Sequence, residues 1–205
     1  MISQKSQFQR RRSEKERRNL GAHYTSESNI LKLIKPLFLD ELWAEFESIK
    51  GNKNKLPEFH KKISQLKFLD PACGCGNFLV ITYRELRLLE LEILRAQYKN
   101  QYVTEIESII WLNVDMMYGI EYEEFPARIA EVAMWLIDHQ MNMLISNEFG
   151  QYFARLPLKK SAKIVHGDAL EVNWEDVVAK NQLSYIIGNP PFIGSKIMSQ
   201  FQRNQ

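Results

Sequence analysis

Asn189-Pro190-Pro191-Phe192 gathers, in four residues, a side-chain amide, a carbonyl followed by a residue without an N–H, and an aromatic face. Two acceptors beside a ring suit a planar amide or amine nitrogen: the acceptors take its N–H hydrogens and the ring stacks on its plane. Pro190 and Pro191 hold the loop extended and stiff, so the acceptor geometry is set in advance. The loop follows Leu183-Ser184-Tyr185-Ile186-Ile187-Gly188, an apolar run that reads as a buried strand bounded by turn residues. The tip of such a strand is where α/β folds put chemistry.

A second cluster lies in Asp70-Pro71-Ala72-Cys73-Gly74-Cys75-Gly76-Asn77-Phe78, where a short strand turns into a helix. Gly74 and Gly76 clear side chains from the turn, so a ligand can approach backbone amides at the helix N-terminus. Asp70 repels phosphate there and favours a cationic or hydroxyl-bearing ligand. The G-x-x-x-x-G-K-[ST] and G-x-G-x-x-G spacings of phosphate and dinucleotide loops are both missing. Glu121 ends a second strand and suits two ribose hydroxyls; Asp168 follows a third and can accept from the exocyclic amine of a purine. Each acid alone has an ordinary reading as a solvated strand end. Parallel strands bring all three to one edge, and together they point to an adenosine-type ligand.

The elements that position these groups follow from hydrophobic periodicity. Lys67 to Asp70, Met116 to Glu121, Lys163 to His166 and Leu183 to Ile187 read as strands. Phe78, Leu79, Tyr83, Leu86, Leu89 and Ile93 describe one helical face. A later helix, opened by Pro126, has Ile129, Val132, Ala133, Leu136 and Leu144 as its buried stripe. Before the first strand, Ile30, Leu33, Ile34 and Leu37 recur at helical spacing, and Pro36 kinks or restarts that helix ahead of Leu42, Trp43 and Phe46. A polar helical segment spans about Glu171 to Lys180. Strand and helix in alternation predict a parallel α/β sheet covered on both faces.

With 205 residues, 45% of them hydrophobic and 25% charged, the chain has the composition of a folded domain with a real core. No apolar run approaches the ~18 residues of a membrane span, and the basic N-terminus lacks the apolar segment of a signal peptide. A cytoplasmic protein with no membrane partner is the expectation. Cys73 and Cys75 are the two cysteines; a C-x-C pair without distant partners fits two small turn residues better than zinc, and no metal is expected. Residues 1–18 form a basic N-terminal arm in which Lys5, Arg10, Arg11, Arg12, Lys15, Arg17 and Arg18 face only Glu14 and Glu16. Such an arm suits phosphate contact or a solvated tail.

The ordered set of motifs resembles the adenine-N6 DNA methyltransferases. Asp70 to Phe78 is similar to the first cofactor motif of that family, and Asn189-Pro190-Pro191-Phe192 to its catalytic motif. Gly21-Ala22-His23-Tyr24-Thr25 resembles the segment that closes over the methionine end of the cofactor. The longer stretches Leu20 to Glu27, Tyr118 to Glu131 and Gly188 to Lys196 are similar to the methyltransferase part of MmeI-like type IIG restriction-modification enzymes. The resemblance implies a Rossmann-like class I methyltransferase fold over residues 19–205, with S-adenosyl-L-methionine as cofactor. It implies cofactor contacts from His23, Tyr24, Thr25, Asp70, Pro71, Ala72, Gly74, Gly76, Asn77, Phe78, Glu121 and Asp168, and catalysis by Asn189, Pro190, Pro191 and Phe192.

The substrate implied is duplex DNA with a flipped adenine. The N6 lone pair is delocalised into the ring, and the Asn189 oxygen and Pro190 carbonyl would localise it by taking both N–H hydrogens. Flipping the base costs a few kcal/mol, of which stacking on Phe192 returns roughly 1–3 kcal/mol. Methyltransferases of this type resemble a seven-stranded sheet of order 3-2-1-4-5-7-6, and only strands 1 to 4 can be placed here. An open edge at strand 4 is therefore expected, as is a truncated or split enzyme that needs a C-terminal half and a target-recognition domain. No lysine has an acid two residues before it, as a PD-(D/E)xK nuclease requires, so DNA cleavage is not expected. Two alternatives stand beside this reading: an inactive or split-subunit binding module, and a methyltransferase acting on RNA adenine or protein glutamine. Phe192 in place of Tyr, the stretch around Glu121 and the basic arm favour DNA.

Overall fold

The structure, a computed structural model, describes residues 25–98, 103, 105–150 and 161–190. It opens with α1 (Glu27–Ile34), a π-helical turn Lys35–Leu39 and α2 (Asp40–Ile49). Pro36 has no N–H to close a normal turn, and the wider turn ends with Asp40 N donating to Lys35 O. The kink expected at Pro36 is thus a single π turn. Then come α3 (Leu56–Ser64), β1 (Phe68–Asp70), α4 (Asn77–Gln97) and a short α5 (Ile106–Ile109). A 3-10 turn leads into β2 (Met117–Glu121), followed by α6 (Glu124–Phe149), β3 (Lys163–His166), α7 (Trp174–Val177) and β4 (Tyr185–Ile186).

All pairings are parallel, and the sheet order is β3-β2-β1-β4, the arrangement expected for the first four strands. In register, Asp70 lies beside Gly119, Leu69 beside Ile186, and Glu121 beside His166. Strand alternation divides the core. Phe68 and Met117 join the main cluster with residues of α1 to α4 and with Ala130 and Met134 of α6. Leu69 and Ile120 face the other way, against Val177 and Val178.

Two sequence expectations are corrected. The fourth strand is not buried throughout: Tyr185 stacks on Phe68 with ring centroids 5.3 Å apart, while Ile186 is 54% exposed. An apolar run does not reveal whether one or both of its faces will be covered, and here the cluster over Leu69 stops short of Ile186. On α6, Val132, Leu136 and Leu144 are exposed, whereas Ala127, Ala130, Met134, Ile137, Met141 and Ile145 are buried. The inner face of α6 also carries polar groups, Asp138, Asn142 and Ser146.

Asp138 and Asn142 face a charged side chain that lies wholly inside the protein. Arg87 of α4 is inaccessible to solvent and donates to Asp138 Oδ1 at 2.9 Å, Asn142 Oδ1 at 2.8 Å and Tyr83 Oη at 2.7 Å. Its Nε lies 2.9 Å from Glu90 Oε2. Glu90 Oε1 in turn accepts from the backbone of Trp111 and Leu112 and lies 2.7 Å from His60 Nε2. Burial pushes the Glu90 carboxyl upward, but Arg87 and His60 outweigh it and hold the pKa below the ordinary carboxylate value. This network pins α4 to α3 and α6.

Candidate functional site

Because every strand runs the same way, the four C-terminal ends meet along one edge. Asp70 is the last residue of β1 and Glu121 the last of β2, Asp168 lies two residues past β3, and Asn189 three past β4. The edge thus carries three carboxylates and an amide in spatial order Asp168, Glu121, Asp70, Asn189.

The turn after β1 is built around Asp70. Its Oδ1 accepts from Ala72 N at 3.0 Å, an Asx-type closure that turns the chain away from the strand. Cys73 N then donates to Ile120 O at 3.0 Å, and Gly74 N donates to Glu121 Oε2 at 2.8 Å, tying the turn to the end of β2. Gly76 starts α4 in the left-handed region, φ 85°, and a Cβ there would lie 3.1 Å from the Ala130 Cβ. Glycine lets the turn both reverse and settle on α6. A Cβ at Gly74 would meet nothing within 4 Å, so that side of the turn is open to a ligand.

Electrostatics distinguish the acids. Asp70 is 1% exposed. Burial pushes its pKa up to about 7; the Ala72 N–H opposes the rise and the Glu121 charge adds to it. Glu121 is half-buried, and its Oε1 accepts from Glu123 N at 3.0 Å. Asp168, also half-buried, accepts from Leu170 N at 3.0 Å through Oδ1. Gly167 N donates to Glu121 O at 2.9 Å, which joins the ends of β2 and β3. Burial also pushes the Cys73 thiol far up, with Asp70 and Glu121 adding to the shift; its side chain packs in the main core.

The end of β4 closes against this turn. Ile187 N donates to Leu69 O at 2.9 Å, and Gly188 lies so close to Asp70 that a Cβ would overlap its Oδ1. Asn189, exposed, donates from Nδ2 to Thr25 Oγ1 at 3.2 Å. Asn189 therefore follows directly on the residue that covers Asp70, and its amide is bonded to Thr25. Of the remaining sequence-derived residues, Pro71 and Asn77 are half-buried in the turn, and Phe78 is buried in the main core beneath it. His23, Tyr24, Pro191 and Phe192 lie outside the described residues, as does the basic arm. The sequence shows Gly188 directly before Asn-Pro-Pro, but not its close approach to Asp70.

A buried acid, a second acid bound to backbone amides, an open glycine turn and an exposed amide suit a ligand with hydroxyls and a positive charge. Fold and edge together define a Rossmann-like α/β domain of the methyltransferase class. The chain belongs to the MmeI DNA-methyltransferase domain family, whose family model matches residues 46–205. A solved structure of the type IIL restriction-modification enzyme MmeI in complex with DNA is 63% identical, with a TM-score of 0.88 over 92% of this chain. DNA methyltransferase A of Bacillus subtilis (strain 168) is 40% identical over 187 residues, 90% of this chain. The chain spans 25% of the MmeI chain and 21% of the Bacillus protein. Among the described residues, no helix is long and apolar enough to cross a membrane.

Proposed function

We propose that residues 19–205 carry the S-adenosyl-L-methionine site and the catalytic loop of an adenine-N6 DNA methyltransferase, acting within a longer restriction-modification enzyme. The observation that supports this most directly is the meeting of Asp70, Glu121 and Asn189 on one sheet edge, with Gly188, directly before Asn189, seated on the buried carboxylate. Similarity to MmeI, solved with DNA, supports DNA as the substrate. Residues 1–18 add basic side chains suited to phosphate, and the remaining strands and the base-reading segment belong to the longer protein.

When bound, S-adenosyl-L-methionine supplies an electrophilic methyl group on a positively charged sulfur. Asp70 and Glu121 favour that positive charge, and Glu121 retains lone pairs for ribose hydroxyls beyond the two amides it already accepts from. Asp168 would hold the exocyclic amine of the adenosine. Toward the substrate, the Asn189 oxygen and the Pro190 carbonyl accept the two N–H hydrogens of a flipped adenine. Those bonds strengthen as charge develops on N6, so they lower the barrier more than they tighten binding. Phe192 stacks on the base.

The test is calorimetric and radiochemical. The chain should bind S-adenosyl-L-methionine, and Asp70→Ala and Glu121→Ala should each weaken binding; unchanged affinity in both would sink the site. In the full-length protein, Asn189→Ala should keep cofactor affinity yet lower methyl transfer to duplex DNA by ~100-fold, as loss of an oxyanion-type contact does. Label appearing in RNA or protein instead of DNA would overturn the substrate.

A further inference from the structure

The backbone leading into Asn189 is held from one side by β1. Ile187 N is bonded to Leu69 O, and Gly188 is seated on Asp70. None of this determines which way round the Asn189 amide sits. An asparagine side-chain torsion is broad and two-fold, and its two orientations fill nearly the same space. They differ entirely in chemistry. With the oxygen toward an amine the side chain accepts; turned by 180°, it meets the amine's N–H hydrogens with its own and stabilises nothing.

The Asn189 side chain is exposed, and the structure gives its NH2 group a partner in Thr25 Oγ1 at 3.2 Å. Thr25 stands just ahead of α1, 164 residues away in sequence. We propose that Thr25 is a positioning residue for Asn189: its hydroxyl oxygen accepts one amide N–H and thereby turns the amide oxygen to the substrate nitrogen. A hydroxyl can also donate to an amide oxygen, but that arrangement occupies the acceptor the amine needs. In the structure the bond runs in the productive direction. This role differs from any contact Thr25 makes with the cofactor, and it rests on the methyltransferase reading above.

The contact and its consequence are tested separately. In the chain itself, the Asn189 side-chain amide protons, assigned through their loss in Asn189→Asp, should show nuclear Overhauser effects to the Thr25 methyl group. Absence of those effects in a folded sample overturns the proposal. In the full-length protein, Thr25→Val removes the hydroxyl at constant shape. Single-turnover methyl transfer to duplex DNA, at saturating S-adenosyl-L-methionine and DNA, should slow by about tenfold, one hydrogen bond's worth of orientation. Thr25→Ser should restore most of the rate.

A deficit that vanishes at saturating cofactor would make Thr25 a cofactor contact alone and overturn the positioning role. So would a Thr25→Ser variant as slow as Thr25→Val. If the wild-type protein transfers no methyl group to DNA, the function on which the proposal rests fails, and the proposal with it. If the wild type is active and Thr25→Val matches it, only the positioning role fails.

Discussion

Asp70 sits where the cost of a charge is highest and its use is greatest. Its carboxyl is enclosed by the turn, by Gly188 and by the end of β1, and burial carries its pKa to about 7. An unfolded aspartate titrates near 3.9. The folded state therefore holds the proton more tightly, and stability present below ~pH 4 is lost as pH rises through about 7. Without ligand, the protein should melt at a lower temperature at pH 8 than at pH 5, and Asp70→Asn should shrink that difference. Equal slopes for wild type and variant across this range would show that Asp70 does not carry the effect. A bound sulfonium should narrow the gap in the wild type, because the ionised form then gains a counter-charge. The place of the acid at a strand end before a glycine turn was legible in the sequence, whereas its burial was not, since such an acid alone reads as a solvated strand end. The Gly188 and Thr25 contacts were not legible either, because they pair positions 118 or more residues apart in the chain.

At the scale of elements, the junction of α4 and α6 adds a buried charge to its apolar packing. Removing Asp138 leaves the Arg87 guanidinium buried beside only partial compensation from Asn142, Tyr83 and Glu90. Breaking a buried pair in this way costs about 3–5 kcal/mol. Asp138→Ala should lower the urea midpoint accordingly, and a change under 1 kcal/mol would show that the pair is dispensable. The same network explains why the buried stripe of α6 was misphased. Residues 129–145 are apolar on several sides, so hydrophobicity alone does not choose a face. Asp138 and Asn142 mark the inner face, because Arg87 of α4 lies opposite them. By contrast, α4 was legible: Phe78, Leu79, Tyr83, Leu86, Leu89 and Ile93 are all buried, as their spacing predicts.

Across the whole molecule, strand order and direction agree with the α/β alternation read from the chain, and β4 forms one border of the described sheet. Ile186 is 54% exposed there, and a border strand with an apolar residue in view invites pairing with another chain. Ile186→Lys should reduce concentration-dependent association in sedimentation experiments while leaving cofactor affinity intact. Identical sedimentation of the two proteins would remove that strand as the sticky surface.

The pairing of β1 with β4 also sets an order of assembly. Lys67 beside β1 and Ser184 beside β4 are 117 residues apart yet hydrogen-bonded, and contacts of that separation form late because a long loop must close first. β1 and β2, with the carboxylates of Asp70 and Glu121, leave the ribosome well before the Asn-Pro-Pro loop. A growing chain thus gains the groups for holding a ligand before the amide that would use it, and until β4 docks, Asp70 has no Gly188 to shut it from water.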